Sequence, residues 1–271
     1  MANIYRELLS SVMVVLPKLA LNIEVSLRLV SGNVSLDCAR ILTKNRDVLA
    51  ESDISTTALE VLRRTHLSDV SIVGRRGHIQ SSFTIKELRE LSRLDGVSLR
   101  LLESELSRGL SEASAAEANE TRSKKRIVEL LNSLAMPGSN TDDKITIMLR
   151  FLLQPKEIVC NEAGAVSGVR FERTVLEGPP YAQRARGTGE TELIPCDIVI
   201  TSLGYLNTPP PGVPFDSRSG AVPHLKGRIS NSIEGNLRNF NSTGWYVTGW
   251  LKRGPTGTHS SNAGVCLSNV G

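Results

Sequence analysis

The stretch IEVSLRLVSGNVSLDCARIL, residues 23–42, decides the fold class. Its first part predicts a strand, because apolar residues alternate there with polar ones: Ile23, Val25, Leu27 and Leu29. From Val34 onward the apolar residues are spaced as on one face of a helix. A strand, a turn and a helix in this order predict an α/β fold with a parallel sheet.

The turn at Ser31, Gly32 and Asn33 is of the kind that binds a pyrophosphate. A glycine lets backbone N–H groups approach the phosphates, and the helix N-terminus adds positive partial charge. A dinucleotide fingerprint has a further glycine two residues before Gly32, where this chain has Val30. By itself the turn leaves nucleotide binding and a plain structural role both open.

A second strand, predicted at residues 70–73, leads into Gly74-Arg75-Arg76-Gly77. In this position an NAD site has an acidic residue for the ribose, whereas an NADP site has arginine for the 2′-phosphate. The guanidinium fork binds a phosphate with two hydrogen bonds. The pair Arg75 and Arg76 therefore favours NADP over NAD, with a solvated surface turn as the alternative.

Helices are predicted at residues 54–65, capped by Asp53, and at residues 85–94, where Thr84 and Glu87 have the spacing of a capping box. Residues 99–134 are predicted to be helical and charged. Their basic run, residues 121–126, is either a solvated face or a docking surface for an acidic partner.

The second half of the chain predicts short strands at residues 147–153, 157–160, 166–176 and 190–203. Residues 161–164 are predicted as a hairpin connection and residues 178–189 as a surface loop. Prolines at residues 209–211 suggest a domain junction. Further on, a strand is predicted at 245–248 and a rigid loop at 249–257, where Trp250 either meets a flat ring system or belongs to a core.

Composition excludes several classes of protein. The chain has 271 residues, a net charge of +4, 40% apolar and 22% charged residues, which excludes wholesale disorder. Aromatic residues make up 4%, which argues against stacking on a nucleic acid. The four cysteines and four histidines are scattered without metal-site spacing, so no metal and no catalytic dyad are predicted. The longest apolar stretch, residues 11–21, is too short for an integral membrane segment.

Five segments together carry a resemblance to a known family: residues 32–42, 72–77, 83–90, 213–216 and 249–257. In order and spacing the chain resembles the adrenodoxin reductases, the mitochondrial-type NADPH:ferredoxin oxidoreductases. The resemblance implies an NADPH-dependent flavoprotein enzyme with the cofactors FAD and NADP. Electrons would pass from NADPH through FAD to an acidic iron–sulfur protein of the ferredoxin or adrenodoxin type.

The resemblance also implies a domain organisation. It consists of an atypical N-terminal segment at 1–22, a Rossmann-like NADP-binding domain at 23–206 and a partial FAD-binding domain at 207–271. The family's own FAD glycine motif has no counterpart before Gly32, so the chain is expected to be truncated at both ends. The alternatives are therefore a non-catalytic NADP-binding fragment and a ferredoxin-binding module.

Site residues follow from the matching positions. Ser31, Gly32, Asn33 and Val34 would hold the pyrophosphate, while Arg75 and Arg76 would bind the 2′-phosphate and Glu87 would contact the same nucleotide. Trp250 would lie beside the flavin and nicotinamide, and Gly257, Thr258 and His259 would face the flavin. The resemblance implies the mitochondrial matrix, with peripheral membrane association left open and no nucleic-acid partner. Residues 1–18 are either a targeting segment or a helix.

Overall fold

The computed structural model describes residues 24–30 (backbone only), 33–120, 122–135, 145–201, 207–208, 211–230 and 244–254. The chain divides into two compact units, Met1–Leu203 and Gly204–Gly271.

The first unit contains a parallel sheet and a smaller antiparallel one. Its strands are β1 (Glu24–Val30), β2 (His66–Val73), β3 (Val97–Leu101), β4 (Ile145–Arg150), β5 (Leu153–Cys160), β6 (Val166–Glu177), β7 (Arg184–Pro195) and β8 (Ile198–Ile200). Its helices are α1 (Asn33–Thr43), α2 (Arg46–Ala50), α3 (Thr56–Arg64), α4 (Ile85–Leu91), α5 (Glu103–Gly109), α6 (Glu112–Glu120) and α7 (Arg122–Ala135), with a 3₁₀ turn at His78–Gln80. The parallel sheet has the order β3-β4-β2-β1-β8.

Helices cover one face of the parallel sheet. Val70 and Ile72 of β2 and Ile147 and Leu149 of β4 point to this face and are buried. They belong to one core with apolar side chains of α1, α4 and α7, among them Leu36, Leu88, Leu91 and Leu131. Burial of this apolar surface is the main force that holds the helices on the sheet.

The antiparallel sheet, β5-β6-β7, packs on a second core with the end of β2. Val73, Leu153, Val169, Phe171 and Ile194 are buried in it. The hairpin between β5 and β6 turns at residues 161–164, where the Asn161 side chain accepts hydrogen bonds from the amides of Ala163 and Ala165. The predicted hairpin connection is therefore confirmed.

The second unit is small in its described part. It contains β9 (His224–Leu225) paired antiparallel with β10 (Arg228–Ile229), and the short helix α8 (Gly249–Arg253). Its core is formed by Val222, Ile229 and Val247.

The predicted α/β class with a Rossmann-like parallel sheet is confirmed, but several elements differ from expectation. The helix predicted at 54–65 is capped by Ser55, not Asp53, because the Ser55 hydroxyl accepts from the amide of Ala58. Residues 97–101 form strand β3 rather than the start of a helix, since Ser98 and Arg100 alternate with buried apolar residues. The helix α2 was not predicted.

The strand predictions were also wrong in detail. The strand predicted at 147–153 is broken at Leu152, whose φ of 59° turns the chain from β4 to β5. The predicted surface loop 178–189 is shorter, because β7 begins at Arg184. Residues 245–248 form no strand: Tyr246 makes a single bridge to Arg228.

Candidate functional site

The candidate site lies at the carboxyl edge of the parallel sheet. Val30 at the end of β1 is in register with Val73 at the end of β2, so both strands end at the same edge of the sheet. β1 also pairs with β8, which joins the sheet much later in the chain. The order therefore reverses at β1, and in open α/β sheets ligands bind at this switch point.

Helix α1 begins at Asn33, shortly after the end of β1. The Asn33 side-chain oxygen accepts a hydrogen bond of 2.9 Å from the amide of Thr84, the residue that caps α4. This contact joins the start of α1 to the start of α4. Of the predicted pyrophosphate contacts, Asn33 is half-buried and Val34 is 48% exposed, whereas Ser31 and Gly32 lie outside the described residues.

Glu87 has a structural role that agrees with the predicted capping box. The Thr84 hydroxyl contacts the Glu87 carboxylate, and it accepts a hydrogen bond from the Glu87 amide. Because Thr84 also bonds to Asn33, Glu87 is linked through Thr84 to the start of α1. Its predicted contact with the nucleotide stays a prediction.

The second turn, residues 74–77, is called the arginine turn. Its backbone is bound on the protein side: the carbonyl of Gly74 accepts from the amide of Leu153 at 3.1 Å, and that of Arg76 accepts from the amide of Leu152 at 3.2 Å. The Arg75 and Arg76 side chains are exposed, and neither guanidinium forms an ion pair with any described residue. Their predicted binding of the 2′-phosphate stays a prediction.

Buried polar side chains follow the arginine turn. His78 is 2% exposed, and desolvation lowers its pKa to about 4, so the ring is neutral near pH 7. The Gln80 side-chain nitrogen lies within hydrogen-bond distance of Ser114, Glu117 and Gln183. These contacts tie the end of the turn to α6 and to the residues before β7.

Sequence reasoning missed the residues that hold the arginine turn. Thr174 donates a hydrogen bond of 2.7 Å from its hydroxyl to the Arg75 carbonyl, across 99 residues of sequence. Nothing local in the sequence around Thr174 marks this contact. Leu152 and Gln80 were missed for the same reason.

Trp250 belongs to the second unit, in residues 248–254, called the tryptophan segment. The rigid loop predicted there was wrong: Gly249–Arg253 is a short helix, closed by a hydrogen bond from the Gly254 amide to the Trp250 carbonyl. Gly249 and Gly254 have φ values of 63° and 82°, which side chains resist. Trp250 is 40% exposed, and Gly257, Thr258 and His259 lie outside the described residues.

Among the described residues, no three His, Cys, Asp or Glu side chains come together as metal ligands. None of the helices described is both long enough and apolar enough to cross a membrane.

Comparison with known proteins shows relatives over most of the chain, although no family model matches it. The chain is 37% identical over 246 residues to the mitochondrial NADPH:adrenodoxin oxidoreductase of Arabidopsis thaliana, which covers 89% of this chain and 50% of the relative. It is 39% identical to the NADPH-ferredoxin reductase FprA of Mycobacterium tuberculosis, over 86% of this chain and 48% of FprA.

A solved structure agrees with these relatives. The structure of Mycobacterium tuberculosis FprA in complex with NADPH matches with a TM-score of 0.77 and 36% identity, over 91% of this chain and 51% of that one. The chain thus spans about half the length of the curated relatives it matches. Over that half, its relatives are the NADPH:adrenodoxin and NADPH-ferredoxin reductases.

Proposed function

We propose that this chain carries the NADPH-binding part of a flavoprotein oxidoreductase. Electrons pass from NADPH through FAD to an iron–sulfur protein of the ferredoxin or adrenodoxin type. The observation that carries the proposal is the arginine turn: two exposed guanidinium groups on a bound backbone, beside the start of α1. Two relatives, an NADPH:adrenodoxin oxidoreductase and an NADPH-ferredoxin reductase, support it.

The arrangement fits NADPH at two points. The start of α1 supplies the N–H groups and partial positive charge that a pyrophosphate needs, with Ser31, Gly32, Asn33 and Val34 as its contacts. Arg75 and Arg76 bind the 2′-phosphate, which NADH lacks. Glu87, through Thr84 and Asn33, helps to hold the start of α1 in place beside the same nucleotide.

The flavin is assigned to residues 207–271, as the partial FAD-binding domain that follows the NADP-binding domain, 23–206, in the sequence. Bound FAD supplies the chemistry that converts a two-electron hydride donor into a source of single electrons. In this chain, Trp250 presents an exposed ring, and Gly257, Thr258 and His259 complete the proposed contact.

One experiment separates an enzyme from a non-catalytic NADP-binding fragment. The purified chain is incubated with FAD, desalted and examined by visible absorption, and then tested for NADPH-driven reduction of an artificial electron acceptor. A retained flavin band with turnover supports the reductase. A colourless protein that still binds NADPH more tightly than NADH supports the fragment. Equal affinity for NADPH and NADH contradicts the role of Arg75 and Arg76.

The partner is proposed to bind through charge. Arg122, Lys125 and Arg126 are exposed on α7, while Lys124 is engaged by Glu117. An acidic iron–sulfur protein would meet this basic face, and its binding would weaken as salt rises. The same basic face would also bind the partner if the chain is the alternative, a ferredoxin-binding module. Binding to a ferredoxin that does not change between low and high salt contradicts this docking face.

The cellular compartment of the protein is also part of the proposal. The plant and bovine relatives are named mitochondrial, whereas FprA is bacterial. We propose the mitochondrial matrix, with peripheral membrane association. Cell fractionation tests both: recovery in the mitochondrial pellet, and release from membranes by a salt wash, are the expected results.

A further inference from the structure

The arginine turn depends on a side chain from a distant strand. Three consecutive carbonyls of the turn are bound, and the middle one, that of Arg75, accepts its hydrogen bond from the Thr174 hydroxyl at 2.7 Å. The outer two accept from the backbone amides of Leu153 and Leu152. Thr174 is 4% exposed, so water does not readily replace its hydroxyl.

Two local irregularities direct Thr174 to this carbonyl. The register between β6 and β7 shifts between Glu172 and Thr174, and such an irregularity changes the direction of neighbouring side chains. Leu152 has a φ of 59°, which a non-glycine residue rarely adopts. Its amide donates to the Arg76 carbonyl, and its carbonyl accepts from the Thr174 amide at 2.9 Å. Strain of this kind is concentrated at binding sites.

We propose that Thr174 is a positioning residue that sets the preference for a 2′-phosphate. This inference rests on the proposed function. The Thr174 hydroxyl fixes the peptide plane between Arg75 and Arg76, and that plane sets where both guanidinium groups leave the backbone. A phosphate bound by two forks requires their relative position to be fixed before binding. A nucleotide without the 2′-phosphate does not use this geometry.

The test measures dissociation constants of the full chain for NADPH and for NADH by nicotinamide fluorescence. The variants are Thr174→Val, which removes the hydroxyl at nearly constant volume, and Thr174→Ser, which keeps it. Thr174→Ala is a second variant without the hydroxyl, for use if the valine does not fit. Amide hydrogen exchange of residues 74–77 without nucleotide is a readout independent of binding.

We expect Thr174→Val to raise the dissociation constant for NADPH about tenfold. The reason is the loss of one hydrogen bond, from the Thr174 hydroxyl to the Arg75 carbonyl, that holds the two arginines in position. The constant for NADH should stay unchanged, residues 74–77 should exchange faster, and Thr174→Ser should behave as the wild type. An unchanged constant for NADPH, or an equal change for both nucleotides, overturns the inference. A wild-type chain that binds NADPH no more tightly than NADH contradicts the proposed function itself, before any variant is made.

Discussion

The arginine turn and the tryptophan segment both contain glycines and are both held through their backbone carbonyls, but they differ in burial. The arginine turn is bound by two amides and a buried hydroxyl, and the residues that follow it, His78 to Gln80, are buried. The tryptophan segment is bound by the amide of Val222 and the side chains of Asn207 and His224, and no residue of α8 is buried.

The difference indicates which of the two segments has a fixed conformation before a ligand binds. A surface that is already fixed loses less conformational entropy on binding, so the arginine turn suits a ligand that must be recognised by geometry. The tryptophan segment has an exposed ring on a short helix, which suits contact with a flat ligand rather than fine discrimination. Four changes test this contrast.

The largest expected effect is at Glu105, which supports the backbone beside the arginine turn. Glu105 is 1% exposed; one carboxylate oxygen accepts from Arg150 at 2.9 Å and the other from the amide of Phe151 at 2.8 Å. Glu105→Ala leaves the buried Arg150 with less compensation. We expect the free energy of unfolding to fall by about 4 kcal/mol in urea denaturation. Glu103→Ala, exposed on the same helix, is the matched control, and equal urea midpoints for the two variants would contradict the prediction.

The next effect concerns the nucleotide. Replacing both Arg75 and Arg76 by alanine removes the charge-assisted hydrogen bonds that we propose to the 2′-phosphate. We expect the dissociation constant for NADPH to rise about 100-fold, close to 3 kcal/mol, with that for NADH unchanged. Arg63→Ala with Arg64→Ala removes a second adjacent pair of exposed arginines, from α3. If this control weakens NADPH binding equally, net charge rather than the arginine turn is responsible.

The strands, helices and turns around this site could be predicted from the sequence, because they depend on patterns among neighbouring residues. The alternation in β1, the capping box of Thr84 and Glu87, and the arginine pair after β2 each depend on residues close together in the chain. The fold class followed from the order of these elements.

The supports of the site could not be predicted, since they depend on long-range packing. Thr174 reaches Arg75 across 99 residues, and Gln80 reaches Gln183 across 103. Glycines at residues 249 and 254 indicated a turn around Trp250, but not that Gly249 would begin a helix and Gly254 end it. Tertiary context decides between a loop and a single helical turn.

A smaller effect tests the buried side of the arginine turn through pH. Burial lowers the pKa of His78 to about 4, so the unfolded chain takes up a proton at higher pH than the folded chain. The contribution of the neutral His78 ring to the free energy of unfolding is therefore fully present above about pH 6.5 and is lost as the pH falls toward 4. Between pH 7.5 and 5 we expect a loss of about 2 kcal/mol. His78→Leu should flatten this dependence in urea denaturation, and an unchanged slope would exclude His78 as its cause.

The smallest effect tests the tryptophan segment by itself. The Asn207 side-chain nitrogen donates to the carbonyls of Gly220 at 2.7 Å and Trp250 at 2.8 Å. Asn207→Ala removes both bonds, and we expect the free energy of local opening of the tryptophan segment to fall by about 1 kcal/mol. Amide exchange of residues 244–254 should then be faster, while that of residues 74–77 stays unchanged, and Thr208→Ala should change neither. If both regions exchange faster in Asn207→Ala, they are not held independently and the contrast between them fails, because one carboxamide would then stabilise the arginine turn as well.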